Sequence, residues 1–302
     1  MSDLAVAHYS SPYVTVYPWS SSGFGTKYTN PTTLPPGTGY AVAFSPNGDA
    51  VAVAHYNSPY ITAYPWSSSG FGTKYADPTT LPSGTGYGVA FSPNGDAIAV
   101  AHGSSPSITA YPWSSSGFGT KYTNPTTLPS STAYAVAFSP NGDSVAVADA
   151  SSSCITAYSW SSSGFGTKYA DPTTLPSSTG RGVAFSPSGD VLAVVHVGSP
   201  YVTLYPWSSS GFGTKYADPT VLPAGTGVGV AFSRSGDAVA VGHYTSPSIT
   251  AYPWSSSGFG TKYTNPTTLP AGIGMGVAFR PVPSSGSSRR PWVFCGLMGG
   301  ML

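Results

Sequence analysis

Residues 88–102 read GVAFSPNGDAIAVAH, and the reading of this stretch decides the fold. Val89 and Phe91 alternate with small residues, and so do Ile98 and Val100 a few positions later. A period of two places large and small side chains on opposite faces of an extended strand. Between the two runs, PNGD predicts a tight turn, because Asn94-Gly95 supplies backbone freedom at positive φ. Further out, SITAYPW (residues 107–113) follows a Ser/Pro turn, and GTKYTN (residues 119–124) follows the loop SSSGF. These four short runs, bounded by Gly, Pro or Ser, predict an antiparallel meander, with strands a to d running from inside to outside. No segment has a helical period, and 30 prolines and 37 glycines oppose helices.

The unit recurs. Trp19, Trp66, Trp113, Trp160, Trp207 and Trp254 stand 47 residues apart, as do Phe44, Phe91, Phe138, Phe185, Phe232 and Phe279. SSSGFGTKY and VAF each occur six times unchanged. A four-stranded sheet cannot bury both faces alone, whereas sheets stacked face to face in a ring can. A 47-residue period of strand-like content therefore predicts an all-β fold, a six-bladed β-propeller over residues 1–281. Residues 4–8 (LAVAH) match strand b, and residues 276–281 (GVAFRP) match strand a. The two ends are expected to close the ring by completing one blade together.

VAFSPNGDAVAVAH (residues 42–55) and ITAYPW (residues 61–66) resemble the WD-repeat and related propeller families. Their blades carry a similar Phe-Ser-Pro-Asp-Gly turn before an apolar strand. The resemblance spans residues 4–281 and implies a propeller. The Trp-Asp dipeptide is missing, with Tyr64-Pro65 in its place. It implies no particular activity, since propellers host enzymes, lectins and scaffolds.

Charged residues make up only 7% of the 302 residues, all ten acids are Asp, and the formal net charge is +1. Such a surface provides no field to steer the chain toward nucleic acid or an anionic membrane, and it tolerates self-association. No apolar run approaches the ~18 residues of a membrane span. The first residues carry no basic n-region, so no signal peptide is expected. Cys154 and Cys295 make no disulfide framework.

Candidate chemistry is sparse. His8, His55, His102, His196 and His243 share one repeat position, the end of strand b, with Asp149 in the sixth. Sixfold-related points lie as far apart as their distance from the axis, on the order of 10 Å for a second strand. Zinc needs ligands at ~2 Å, so each histidine is expected to bond within its own blade. Asp49, Asp96, Asp143, Asp190 and Asp237 fall in the a–b turn, where turn bonding is expected. Asp77, Asp171 and Asp218 alternate between repeats with Asn30, Asn124 and Asn265, which opposes a catalytic carboxylate. No pair of acids and no GxSxG turn suggests catalysis, so no enzyme, cofactor or metal site is expected. The lysine of each repeat, as in Lys121, reads as a solvated rim. The tryptophans and the GFG phenylalanines read as packing between blades, or as aromatic slots for sugars.

Comparison among the repeats locates one variable face. Tyr40, Tyr87, Tyr134, Arg181, Val228 and Met275 occupy one position before strand a, and the b–c loops vary beside them. In a meander these lie on the same face of the disc. Two readings stand: a partner-contacting surface, or loop drift after recent duplication.

After residue 281 the repeat stops. Residues 282–302 comprise a basic linker and an apolar tail, in which Trp292, Val293, Phe294 and Leu297 are candidates for docking on a neighbour. The resulting expectation is a non-enzymatic, self-associating structural protein, as a filament or an extracellular or virion assembly. The alternative is a lectin-like propeller that binds glycans multivalently.

Overall fold

The computed structural model describes residues 2–279, all of them strand, turn or irregular segments, with no helix. Blade 3 shows the plan. Strand a is Gly86–Phe91, strand b Ala97–His102, strand c Ile108–Ser114 and strand d Gly117–Phe118, hydrogen-bonded in the order d-c-b-a. Blades 2, 4, 5 and 6 repeat it, and blade 1 contributes three strands, Ser2–Ala7, Val14–Ser20 and Gly23–Phe24. The chain is a six-bladed β-propeller.

The a–b hairpin turns as its residues dictate. Gly95 takes φ +74°. The Ser92 hydroxyl donates to Asp96 at 2.6 Å and accepts the amide of Ala97 at 3.0 Å. The alternation of large and small side chains then builds the interfaces between blades. Val89, Phe91, Ile98, Val100, Tyr111 and Trp113 of blade 3 pack against Ala43, Ala50, Ala52, Ala54, Ile61 and Ala63 of blade 2. Each large side chain so buried contributes about 1.5–3 kcal/mol. Small residues on the receiving face let the sheets approach. The Tyr111 hydroxyl donates to the Thr80 carbonyl at 2.7 Å, fixing the segment that enters the blade. Edge-on contacts of Trp113 with Tyr75, Phe91 and Phe118 close the outer part.

Strand d differs from expectation. The turn is Ser115-Ser116, so the strand begins at Gly117 and its regular part ends at Phe118, ahead of GTKYTN. The cause is Pro112 on strand c, which has no N–H to offer the ladder. In blade 4, Ser159 stands at that position, and there strand d runs over Gly164–Lys168. Pairing resumes irregularly elsewhere, as in Tyr122 N–H to Ala110 C=O at 2.9 Å.

The closing strand also differs. Residues 273–279 form no strand and no ladder with Ser2–Ala7, and residues 280 and 281 lie outside the described residues. The segment still follows the course of an inner strand beside blade 6. Gly274 N–H donates to His243 C=O at 3.0 Å, and a Cβ on Gly229 would come within 2.8 Å of the Gly276 Cα. Pairing with blade 1 has no hairpin to hold it, because Arg280-Pro281 replaces the SPNGD turn, so closure must overcome the entropy of a very long loop. The interface between blades 6 and 1 is accordingly unlike the other five. Leu4 and Val6 are 39% and 40% exposed, whereas Val51 and Val53 at the same positions are fully buried. Tyr28 packs on Trp66 and Tyr216 on Trp254, but their counterpart Tyr263 is 50% exposed. The expected linker and tail, residues 282–302 with Trp292, Val293, Phe294 and Leu297, lie outside the described residues.

Candidate functional site

Each inner strand opens with a bulge. In blade 3, Gly86 pairs with His102 and Gly88 with Ala101, leaving Tyr87 as an extra residue off the ladder. The same one-residue shift sets off Tyr40, Tyr134, Arg181 and Val228. A bulge re-aims the side chain it carries, and in blades 2 to 6 it sets the variable residue off the ladder at the start of the innermost strand. Small neighbours, Gly86 and Gly88 around Tyr87 for example, are the sequence signal for it.

The bulged residues come together. The ring of Tyr40 lies 5.2 Å from that of Tyr87, and Tyr87 lies 5.4 Å from Tyr134, all tilted contacts. Tyr56 from a b–c loop extends the arc, 6.5 Å from Tyr40. At its other end the Arg181 guanidinium stacks 4.4 Å over the Tyr134 ring. Val228 is buried, and Met275 is half-buried. Burial first, then the neighbouring tyrosines, raise the phenols of Tyr40 and Tyr87 above their ordinary pKa, while Arg181 pulls Tyr87 back. Of the six variable residues, four form one contiguous aromatic and cationic arc.

The other candidates have local explanations. His102 Nε2 meets Thr109 Oγ1 at 2.9 Å, and His55, His196 and His243 meet Thr62, Thr203 and Thr250 at the same distance. His8 meets Thr15 at 2.8 Å. Burial lowers His55, His102 and His196 to about 4, and His243 in the same direction. Asp149 keeps the arrangement, accepting from Thr156 at 2.9 Å, and burial raises its carboxyl. No group of three metal-ligating side chains occurs among the described residues. Lys74 pairs with Asp77 at 2.5 Å, and Lys262 donates to Asn265 at the same distance, so Asp and Asn serve alike as rim acceptors. The tryptophans of blades 2 to 6 are only 6–7% exposed, with their rings taken up by packing rather than left as slots for sugars.

No family model matches the sequence, and no curated protein matches it. Solved structures do match in fold. A Lactobacillus plantarum protein aligns with TM-score 0.68 at 15% identity, over 90% of this chain and 82% of its own. A functionally unknown protein from Desulfotomaculum acetoxidans gives 0.63 at 14%, over 88% and 78%. The periplasmic gluconolactonase of Pseudomonas aeruginosa gives 0.66 at 17%, over 87% and 82%. Likeness at this identity establishes the propeller and nothing finer, and the WD-repeat resemblance is reduced to that fold. The expectation of a non-enzymatic chain is corrected. It rested on the absence of a catalytic motif from a propeller, and the same architecture in the P. aeruginosa protein is that of an enzyme.

Proposed function

We propose that the chain is an interaction protein that associates with copies of itself, as a filament or an extracellular or virion assembly. The observation that carries this reading is blade 1. The inner edge of Ser2–Ala7 has no strand partner among the described residues, and Leu4 and Val6 lie exposed beside it. An unpaired edge with apolar side chains accepts an added strand from another chain. The C-terminal segment of a neighbour, whose GVAF matches the missing inner strand, is the proposed donor. The apolar tail, with Trp292 and Phe294, adds surface for the same contact, and a net charge of +1 offers little repulsion. Light scattering and negative-stain microscopy on the full chain and on a chain ended at residue 287 test it. Multimers of the first are expected, and weaker multimers of the second, which keeps the GVAF donor and loses only the apolar tail; a monomeric full chain at high concentration refutes the reading. A second reading, glycan binding, is favoured by the half-buried rings of Tyr87 and Tyr134, which offer stacking surfaces for sugar.

A further inference from the structure

We propose that the aromatic and cationic arc binds a small organic acid, with its carboxylate on the edge of Arg181 and its flat apolar body against the Tyr134 and Tyr87 rings. Arg181 is one of five arginines in the chain and the only one at this repeat position. It is aimed by the bulge between Gly180 and Gly182. Its guanidinium face lies on Tyr134, 4.4 Å from the centroid, which leaves the N–H edge for hydrogen bonding. The Nε on that edge is buried and has no partner among the described residues. A buried donor without an acceptor keeps the full cost of its lost hydration, and more so when charged. The other buried unpartnered atoms among the described residues are Nδ1 of His55, His102 and His243, neutral rings in which one nitrogen carries no proton. Among these residues Arg181 is thus the one cationic donor held in this state.

No acid among the described residues answers that donor. The ion pairs among the described residues, Lys74–Asp77, Lys168–Asp171 and Lys215–Asp218, are at the rim. The turn acids, such as Asp96, lie at the other end of strand a. Asp149 is satisfied by the Ser151 amide and the Thr156 hydroxyl. A carboxylate meets a guanidinium edge through two parallel hydrogen bonds, and a shift of the half-buried Arg181 side chain that uncovers its unpartnered Nε would offer that edge. The surroundings set the rest of the ligand. With one cation in the arc, a monoanion is matched better than a dianion. The half-buried Tyr87 and Tyr134 rings and the half-buried Met275 present apolar surface, so the body carrying the carboxylate is flat and weakly polar.

The inference is independent of self-association and is tested on full-length protein diluted until it scatters as a single species. Benzoate is the probe, and calorimetric titration the measurement. Inorganic phosphate, the neutral isostere benzamide and a neutral methyl glucoside serve as comparisons. Saturable binding of benzoate is expected, with benzamide, phosphate and glucoside each about tenfold weaker or more. Arg181→Gln is expected to weaken benzoate about tenfold, and Tyr134→Leu several-fold. Circular dichroism checks that each variant is folded. Should Arg181→Gln not fold, Arg181→Lys replaces it, since it keeps the charge but loses the paired N–H edge, and several-fold weakening is again expected. No saturation up to about 10 mM, equal affinity for benzamide, tighter binding of phosphate or glucoside, or unchanged affinity in the Arg181 variants overturns the proposal.

Discussion

The Trp66 indole N–H donates to the Asp3 carboxylate at 2.9 Å, and the Tyr28 hydroxyl donates to its other oxygen at 3.0 Å. Asp3 occupies the position that alanine holds in blades 2, 3 and 6, so this clasp between blades 1 and 2 is absent from those repeats. Asp3→Ala is expected to remove two hydrogen bonds to a charged group and lower stability by about 1–2 kcal/mol. Urea denaturation of the variant checks this, and Tyr28→Phe should reproduce about half the loss. An unchanged midpoint would mean that the clasp contributes nothing in solution.

The buried histidines make stability depend on acid. His55, His102 and His196 are held near 4 in the folded chain, whereas an unfolded histidine titrates near 6.5. Below that value the unfolded chain takes up protons that the folded chain refuses. Stability is therefore full above about pH 6.5 and falls as pH drops toward 4, with a slope of up to ~4 kcal/mol per pH unit if all three act together. Denaturation midpoints at several pH values between 4.5 and 7.5 check the sign and the window. A flat profile would place these rings in contact with solvent.

Strand d offers a structural switch. Pro112→Ser in blade 3 gives strand c the donor that Ser159 gives blade 4, so residues 117–121 are expected to pair along their length with one register shift, as Gly164–Lys168 do. Hydrogen exchange should show newly protected amides there. Ser159→Pro should shorten the longer strand, and indifference of both variants would detach the strand length from the proline.

Removal of the C-terminal segment tests how the inner wall is covered. A chain ended at residue 269 loses the backbone that lies over Gly229 and Gly242 of blade 6. It is expected to aggregate or exchange strands rather than persist as a monomer with an unaltered melting temperature, since it exposes a further sheet edge. Light scattering on freshly purified protein measures it.

Much of this was legible in the amino-acid order, because period and turn chemistry act locally. AIAVAH is strand b from Ala97 to His102, and Asn94-Gly95 turns where its dipeptide requires. The histidine at the end of that strand could be assigned to its own blade by geometry alone, although its partner Thr109 was not evident. The misreadings have specific causes. GTKYTN has the composition of a strand, but its pairing depends on whether a proline faces it across the ladder, which is a tertiary fact. The bulge at Tyr87 was signalled only by its small neighbours Gly86 and Gly88, because a single extra residue leaves the pattern of large and small side chains intact on either side of it. That Tyr40, Tyr87, Tyr134 and Arg181 lie on one face followed from the meander; that they stack followed only from the bulge.

That bulge separates two kinds of constraint. A residue on the ladder must fit a partner across the sheet and a wall of the next blade, so exchanging it disturbs the scaffold. Tyr87 and its counterparts answer to neither, and tyrosine, arginine and valine occupy the position on backbones of the same course. Since blades 2 to 5 each bring one such residue to a common arc, the arc behaves as a short text written one letter per blade. Reordering or exchanging blades would rewrite the text while leaving each fold interface a pairing of large face on small.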